Sequence, residues 1–419
     1  MKFSEELVWR ESLKDKTFTD VSYLDTPHSV YLGVDGTATS LTIGNLAILI
    51  LLMRFVQAGY KVYMLIGGAT TMIGDPSDKL EERKLKSADE IKLNTESIKK
   101  QVQHIFDMNV QGENVTFVNN YDWFKDIRVL DFLRDAGKMF SISELLGRDF
   151  VQQRIDENGK GISYAEFSYT LIQGYDYWYL NNKYGVELQI GGSDQWVNLL
   201  SGVSLIRKKE NTEVDALTIP LIINRATGVK FGKSEAGAIW LDETKTSPTM
   251  FYQFFINTID EDLEYLLKAY TFLDKDTIES VIIDHKQNPS SRLGQKTLAY
   301  EVTKVVHGTK NAELAIKISD ILTGKLPISQ ISDEDRENLK KEITYSKLEN
   351  NFSLVDLLVN SGLASSKTES RKLLKSGSIS INFKKFENEF LQSNDFIDGY
   401  LLVKKGKAFK DSALISLSQ

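Results

Sequence analysis

The chain has 419 residues, 42% hydrophobic and 26% charged, enough for two or three domains with substantial cores. It has no cysteine, which excludes disulfides and thiolate metal sites, and its four histidines, His28, His104, His285 and His307, lack the spacing of a structural zinc site. The net charge of −7 argues against a uniformly basic nucleic-acid binder, yet residues 352–419 carry ten Lys and Arg against seven Asp and Glu, a net of +3 on an otherwise acidic chain.

The opening MKFSEELVWRESLKD is amphipathic and acidic, unlike a signal peptide, and residues 1–28 read as a helical arm. Ser29 to Asp35 alternates small, aromatic and branched residues, as a strand does. Gly33 and Gly36 bracket Asp35, where the chain turns, and Thr39 or Ser40 is placed to cap a helix running through LTIGNLAILILLMRFVQAG. A helix start at the end of a central strand suits phosphate, because its free N–H groups and dipole point outward; an ordinary strand–turn–helix reads the same way. The most apolar run, Leu46 to Met53, is too short to span a bilayer and is followed by Arg54, so the expectation is a cytoplasmic protein with no membrane partner.

Further strands are expected at KVYMLI (61–66), NVTFV (114–118), VELQI (186–190) and LTIPLII (217–223), with helical patterning over 128–182. Strands alternating with helices imply a parallel, doubly wound sheet of the Rossmann-like α/β class. In such sheets ligands bind beyond the carboxyl ends of the strands, and the glycine and polar clusters GGATTMIGDPSDK, NNYDW, GGSDQW and KFGKS all sit there. From Ser247 to about Leu322 the pattern is helical; TGKLPISQ (323–330) reads as a linker, followed by an acidic helix. A separate unit from about Phe352 reads as helix, glycine turn, basic helix and strand.

Three constellations carry candidate chemistry. Lys230 and Lys233 flank Gly232 on a loop suited to polyphosphate, or form a plain solvated turn. Tyr31 and Asp176 would bind a substrate hydroxyl inside the cleft, or simply satisfy each other. Asp75, Lys79 and Arg83 would hold an amino group and phosphates, or cap a helix and pair on its surface. Tyr169, Gln173 and Asp176 recur at helical spacing on one face.

The segments YLGVDGTATSLTIGN, GGATTMIGDPSDKLEERK, NNYDW, EFSYTLIQGYDYWYLNNKYGVELQIGGSDQW, KFGKSEAGAIWLD and SGLASSKTESRKLLKSGSISIN resemble bacterial tyrosyl-tRNA synthetases, class I aminoacyl-tRNA synthetases, along almost the whole chain. The last segment resembles an S4-type RNA-binding module. The resemblance implies a catalytic domain at 1–246, an α-helical anticodon-binding domain at 247–322, a linker at 323–351 and a small α+β S4-like domain at 352–419. It implies ATP and L-tyrosine as substrates, Mg2+ with the ATP phosphates and no protein-bound metal, tRNA(Tyr) as partner, and a homodimer for which the apolar-rich VLDFLRDAGKMFSISELL (129–146) is a candidate interface.

By the same resemblance, Tyr31 and Asp176 would meet the tyrosine hydroxyl. Asp75, Tyr169 and Gln173 would hold its amino group, with Asn120 nearby and Gln195 close to the reacting carboxylate. Gly33, Asp35, Gly44, Asn45, Gly192 and Asp194 would form the ATP site, Gly44 letting adenine approach the backbone and Gly192 and Asp194 holding the ribose. Thr37, Thr42, Lys79, Arg83, Lys230 and Lys233 would stabilise the phosphates, and Lys367, Arg371, Lys372 and Lys375 would contact tRNA.

The chain departs from the family pattern at its signature. The family reads His-Ile-Gly-His or His-Ile-Gly-Asn; here the sequence is Thr42-Ile43-Gly44-Asn45. Gly36 stands where proline is usual and Val197 where glycine is usual. The missing histidine bears on activation. It leaves the fold and the tyrosine pocket untouched.

Overall fold

The computed structural model describes residues 1–77, 85–110, 114–147, 149–155, 161–225, 228, 230–234, 237–348, 353–406 and 408–417. It divides into two compact units, residues 1–246 with 255–306, and residues 247–254 with 307–419. Among the described residues no helix is long and apolar enough to cross a membrane.

In the first half of the chain the elements run α1 (Phe3–Trp9), β1 (Ser29–Asp35), α2 (Ile43–Gln57), β2 (Lys61–Gly67), α3 (Gly68–Ile73), α4 (Ala88–Asn109), β3 (Val115–Asn119), α5 (Tyr121–Phe124), α6 (Val129–Asp135), α7 (Ile142–Leu146), α8 (Asp149–Ile155), α9 (Tyr164–Tyr184), β4 (Leu188–Gly192), α10 (Trp196–Glu210) and β5 (Asp215–Ile219). The five strands form one parallel sheet in the order β3-β2-β1-β4-β5. The chain thus starts in the middle, winds outward to one edge and returns to the other, the doubly wound topology expected. Burial on both faces explains the near-continuous apolar runs of β1 and β2. It also explains α2, which is buried almost all round.

Three local expectations shift. The α2 helix begins at Ile43, capped by Thr42 and not by Thr39 or Ser40. The Leu41 N–H donates to Gln101 Oε1 (2.9 Å), and Leu41 O and the Ile43 N–H are tied to Leu241 and Ile239, so the backbone stays extended as far as Thr42. The fourth strand takes in Gly191 and Gly192, and the fifth stops before Pro220, which has no N–H to give a ladder. The helical pattern expected over 128–182 is divided, among the described residues, into the helices α6 to α9.

The N-terminal arm is fixed by charge. Arg10 and Arg54 share the Glu6 carboxylate (2.7 and 2.5 Å). Other N–H groups of the two guanidiniums donate to the carbonyl of Lys268, in the last turn of a helix ending at Tyr270, and to those of Thr271 and Leu273 just beyond it. Burial lowers the Arg54 guanidinium to about 9.

The chain continues with β6 (Lys233–Ser234) and β7 (Gly237–Ala238), an antiparallel pair, then α11 (Pro248–Ile256), α12 (Leu263–Tyr270), α13 (Lys275–Gln287) and α14 (Leu293–Thr323), which is interrupted at Gly308 (φ 81°). Beyond it come α15 (Asp333–Glu342), β8 (Thr344–Leu348), α16 (Leu354–Asn360), α17 (Lys367–Lys375), β9 (Ile379–Ile381), β10 (Lys384–Lys385), β11 (Tyr400–Lys405) and β12 (Ser412–Leu417). The last five strands form a sheet ordered β10-β9-β11-β12-β8.

Alternation along β11 and β12 serves two cores. Leu401, Val403, Ala413 and Ile415 face α16 and α17, while Leu402 and Leu414 face Ile318, Leu322, Leu339 and Ile343. Residues 323–351, read in sequence as a linker with an acidic helix, therefore contribute α15 and the edge strand β8 to this body. Lys404 is buried there, its Nζ donating to Leu322 O (2.5 Å) above the rings of Phe383 and Phe409.

Candidate active site

A cleft of about 470 Å³ lies over β1 and β4, the two strands at which the sheet reverses direction. Its floor follows from register. Tyr31 and Gln189 are paired across β1 and β4, and both are buried with unpartnered oxygens. Gln173 Oε1, on α9, is likewise buried and unpartnered. Burial, with Asp176 and Tyr177 nearby, pushes the Tyr31 phenol well up and keeps it protonated.

Asp176 Oδ2 accepts from Asn120 Nδ2 and Oδ1 from Trp123 Nε1, both at 3.0 Å. Burial raises its carboxyl to about 8, although those two hydrogen bonds pull the other way. The Trp123 indole is itself held by stacking on Tyr179 at 4.4 Å. Asn120, expected near the amino group of the substrate, thus supports Asp176; its Oδ1 accepts from the Ala69 N–H at 2.7 Å.

Two turns back along α9, Tyr169 donates to Asp35 Oδ2 (3.0 Å), and Thr70 donates to Asp35 Oδ1 (2.7 Å). Asp75 Oδ1 accepts from the Ser77 N–H and hydroxyl (2.9 and 2.6 Å), and its Oδ2 accepts from Gln195 Nε2 (2.7 Å). Gln195 is therefore bonded to Asp75.

Gly33, Thr37, Thr42, Gly44, Asn45, Gly192, Asp194 and Lys230 also line the cleft. Thr42 caps α2 from outside the helix; its N–H and hydroxyl both donate to Asn45 Oδ1 (3.1 and 3.2 Å). Gly232 has φ 106° and lies so close to the Ile43 side chain that a Cβ would collide with it. Next to it, Phe231 packs 6.0 Å from the rings of Phe255 and Tyr270, and the Tyr270 hydroxyl donates to Ile43 O (3.2 Å). The lysine loop thus rests on the first turn of α2.

The structure brings together Tyr31, Gly33, Asp35, Thr37, Thr42, Gly44, Asn45, Asp75, Tyr169, Gln173, Asp176, Gly192, Asp194, Gln195 and Lys230. Asn120 sits behind them through Asp176. Lys233 contributes its backbone to β6. Lys79 and Arg83 lie outside the described residues. In the C-terminal unit, Lys367 and Arg371 on α17 pair with Asp356 (2.6 Å) and Glu389 (3.2 Å), while Lys372 and Lys375 have no acidic partner among the described residues.

Sequence reasoning missed Gln189, Thr70, Trp123 and Asn198. Gln189 left one readable sign, a polar residue inside the otherwise apolar end of VELQI. The other three become significant only through partners distant in the chain.

Residues 24–322 match the family model described as tRNA synthetases class I (W and Y), and residues 335–410 match the tyrosine–tRNA ligase SYY-like C-terminal domain. The chain is 42% identical over 419 residues to a tyrosine–tRNA ligase of Cytophaga hutchinsonii, covering 97% of each chain. It is 43% identical over 386 residues to one of Klebsiella pneumoniae, covering 91% of this chain and 90% of that one. Among solved structures, a C-terminally truncated mitochondrial tyrosyl-tRNA synthetase of Aspergillus nidulans superposes with a TM-score of 0.68 at 31% identity, covering 76% of this chain and 94% of that one. The signature threonine, the cleft and the C-terminal sheet are therefore those of a chain that belongs to the tyrosyl-tRNA synthetase family of class I aminoacyl-tRNA synthetases.

Proposed function

We propose that this chain activates L-tyrosine with ATP and transfers it to the 3′ end of tRNA(Tyr). One observation carries the reading: the unpartnered buried oxygens of Tyr31, Gln173 and Gln189 meet Asp176 in a single cleft. Buried polar atoms are normally paired. A phenol both donates and accepts, so it would pair Tyr31 and Asp176 at once. Asp176 and Tyr169 are seven residues apart on α9, roughly 10 Å along the helix, which suits an extended aromatic amino acid with its ammonium toward Asp75, Tyr169 and Gln173.

The tyrosine carboxylate then attacks the α-phosphorus of ATP, a P–O bond forms, and pyrophosphate leaves, giving tyrosyl-adenylate. The terminal ribose hydroxyl of the tRNA next attacks the adenylate carbonyl and AMP leaves. No protein nucleophile is needed. Alignment and complementary charge lower the barrier. Thr37, Thr42, Lys79, Arg83, Lys230 and Lys233 would bear on the phosphates, with the N-terminus of α2 behind them. Gly33, Asp35, Gly44, Asn45, Gly192 and Asp194 would seat the nucleoside.

Among the described residues no three His, Asp or Glu side chains converge as a metal cage. Mg2+ would arrive on the ATP phosphates and neutralise their charge. Helix α6 has no buried residue, and Val129 (73%), Leu130 (79%) and Ile142 (65%) are exposed, which supports a homodimer closing over this face. Lys367, Arg371, Lys372 and Lys375 would contact the tRNA backbone, and the reaction would run in the cytoplasm.

Incubation with ATP, labelled tyrosine and unfractionated bacterial tRNA tests the reading. It should yield acid-precipitable tyrosyl-tRNA. Adenylate without any charged tRNA would refute the ligase assignment.

A further inference from the structure

Asn198 lies in the first turn of α10 and is 2% exposed, and every polar atom of its side chain is used. The Thr170 hydroxyl, on α9, donates to its Oδ1 (2.9 Å). That turns Nδ2 toward two acceptors, Ser77 Oγ (3.0 Å) and Gln195 Oε1 (3.2 Å). Both of those side chains go on to donate to Asp75. Ser77 Oγ reaches Asp75 Oδ1 (2.6 Å), and Gln195 Nε2 reaches Asp75 Oδ2 (2.7 Å).

The two arms close a ring of donors that all point one way, from Asn198 to Asp75. An amide has one oxygen and one nitrogen end, so occupying Gln195 Oε1 from Asn198 forces its Nε2 onto Asp75. Chains of this kind polarise each other and lock rotamers. The ring is anchored where α9 and α10 pack tightly: a Cβ on Gly202, one turn beyond Asn198, would come within 2.7 Å of Tyr177. Asp75 accepts three hydrogen bonds here, and an ionised carboxylate has about four lone-pair sites. Among the described residues one acceptor position on Oδ2 remains open, on a residue that lines the cleft.

We propose that Asn198 is a positioning residue for the substrate's ammonium group, aiming the open lone pair of Asp75 through Ser77 and Gln195. The proposal rests on the reading of Asp75 as an ammonium holder. Asn198 does not touch substrate. It sets the direction of two side chains that hold the carboxylate which does.

The test is binding of three probes to the full-length protein. They are L-tyrosine, tyrosinol, which keeps the ammonium and lacks the carboxylate, and 3-(4-hydroxyphenyl)propionate, which lacks the ammonium. Outer partners of ligating side chains are typically worth about 10–100-fold in affinity at metal sites. Asn198→Ala should therefore weaken tyrosine and tyrosinol by about tenfold or more, and leave hydroxyphenylpropionate within about twofold. Activation at saturating tyrosine should stay near wild type, so that KM moves and kcat does not. Asn198→Asp, which keeps the size and removes both donors, is read in the same way should the alanine variant not fold. Equal weakening of all three probes, or of none, would overturn the positioning role while Asp75→Asn still showed the selective loss. If Asp75→Asn itself failed to discriminate between the probes, the ammonium reading would fall, and this proposal with it.

Discussion

At Asp176 burial and use pull in opposite directions. Folding raises its carboxyl from the ordinary aspartate value of about 3.9 to about 8. The folded state then holds more proton than the unfolded one, so this group's contribution to stability falls as pH rises from about 4 to about 8 and is level beyond. Substrate binding runs the other way, because the ionised form offers the phenol O–H a charge-assisted acceptor that the neutral acid does not. Tyrosine affinity, measured by equilibrium dialysis, should therefore increase about tenfold between pH 6 and pH 7, a range in which the substrate's ammonium stays charged. A flat profile over that range would separate Asp176 from the phenol. The polar residues Tyr31, Gln173 and Asp176 were legible in the sequence because they interrupt apolar patterns at helical or strand spacing. Asn198 and Thr70 were not, since their importance lies in partners from 28 to 121 residues distant, which no local pattern encodes.

Among the elements, the start of α2 decides how this chain manages without the signature histidine. Thr42 stands just outside the helix, with its hydroxyl on Asn45 Oδ1. To serve a phosphate it must rotate off Asn45 and donate outward. A hydrogen bond to a charged group is worth about 1.5–3 kcal/mol. Thr42→Ala should accordingly slow pre-steady-state adenylate formation by roughly 10- to 150-fold with little change in tyrosine affinity. A wild type that makes no adenylate, with activity appearing only in Thr42→His, would contradict this. Strand β1 was read to the residue, because a buried central strand shows its full pattern. The start of α2 was misread by two to three residues because Gln101, Ile239 and Leu241, all remote in sequence, hold the intervening backbone extended. The ends of β4 and β5 moved for backbone reasons, two glycines that prolong one and a proline that stops the other.

Across the whole molecule, the proposed chemistry and the proposed RNA contact fall in different units, and charge follows the division. The cleft is built entirely from residues 31–240, whereas α17 and its lysines belong to the C-terminal body. That body includes α15 and β8, so a truncation at Ser346 would cut the edge strand and bare the partners of Leu402 and Leu414. Charge reversal in the full chain is the cleaner probe. Lys372→Glu with Lys375→Glu, neither paired with an acid among the described residues, should lower kcat/KM for tRNA by about tenfold or more and leave pyrophosphate exchange unchanged. Equal loss in both assays would mean that the helix supports the cleft and not the tRNA.

The most direct test of the account is amino-acid-dependent ATP–pyrophosphate exchange, run with each of the twenty amino acids in turn. A pocket that leaves the Tyr31 hydroxyl without a partner when the phenol is missing should exchange with tyrosine alone. Phenylalanine should be slower by ~10⁴ or more in kcat/KM, a magnitude taken over from tyrosyl-tRNA synthetases as a class. Equal exchange with tyrosine and phenylalanine, or no exchange with any amino acid, would contradict it.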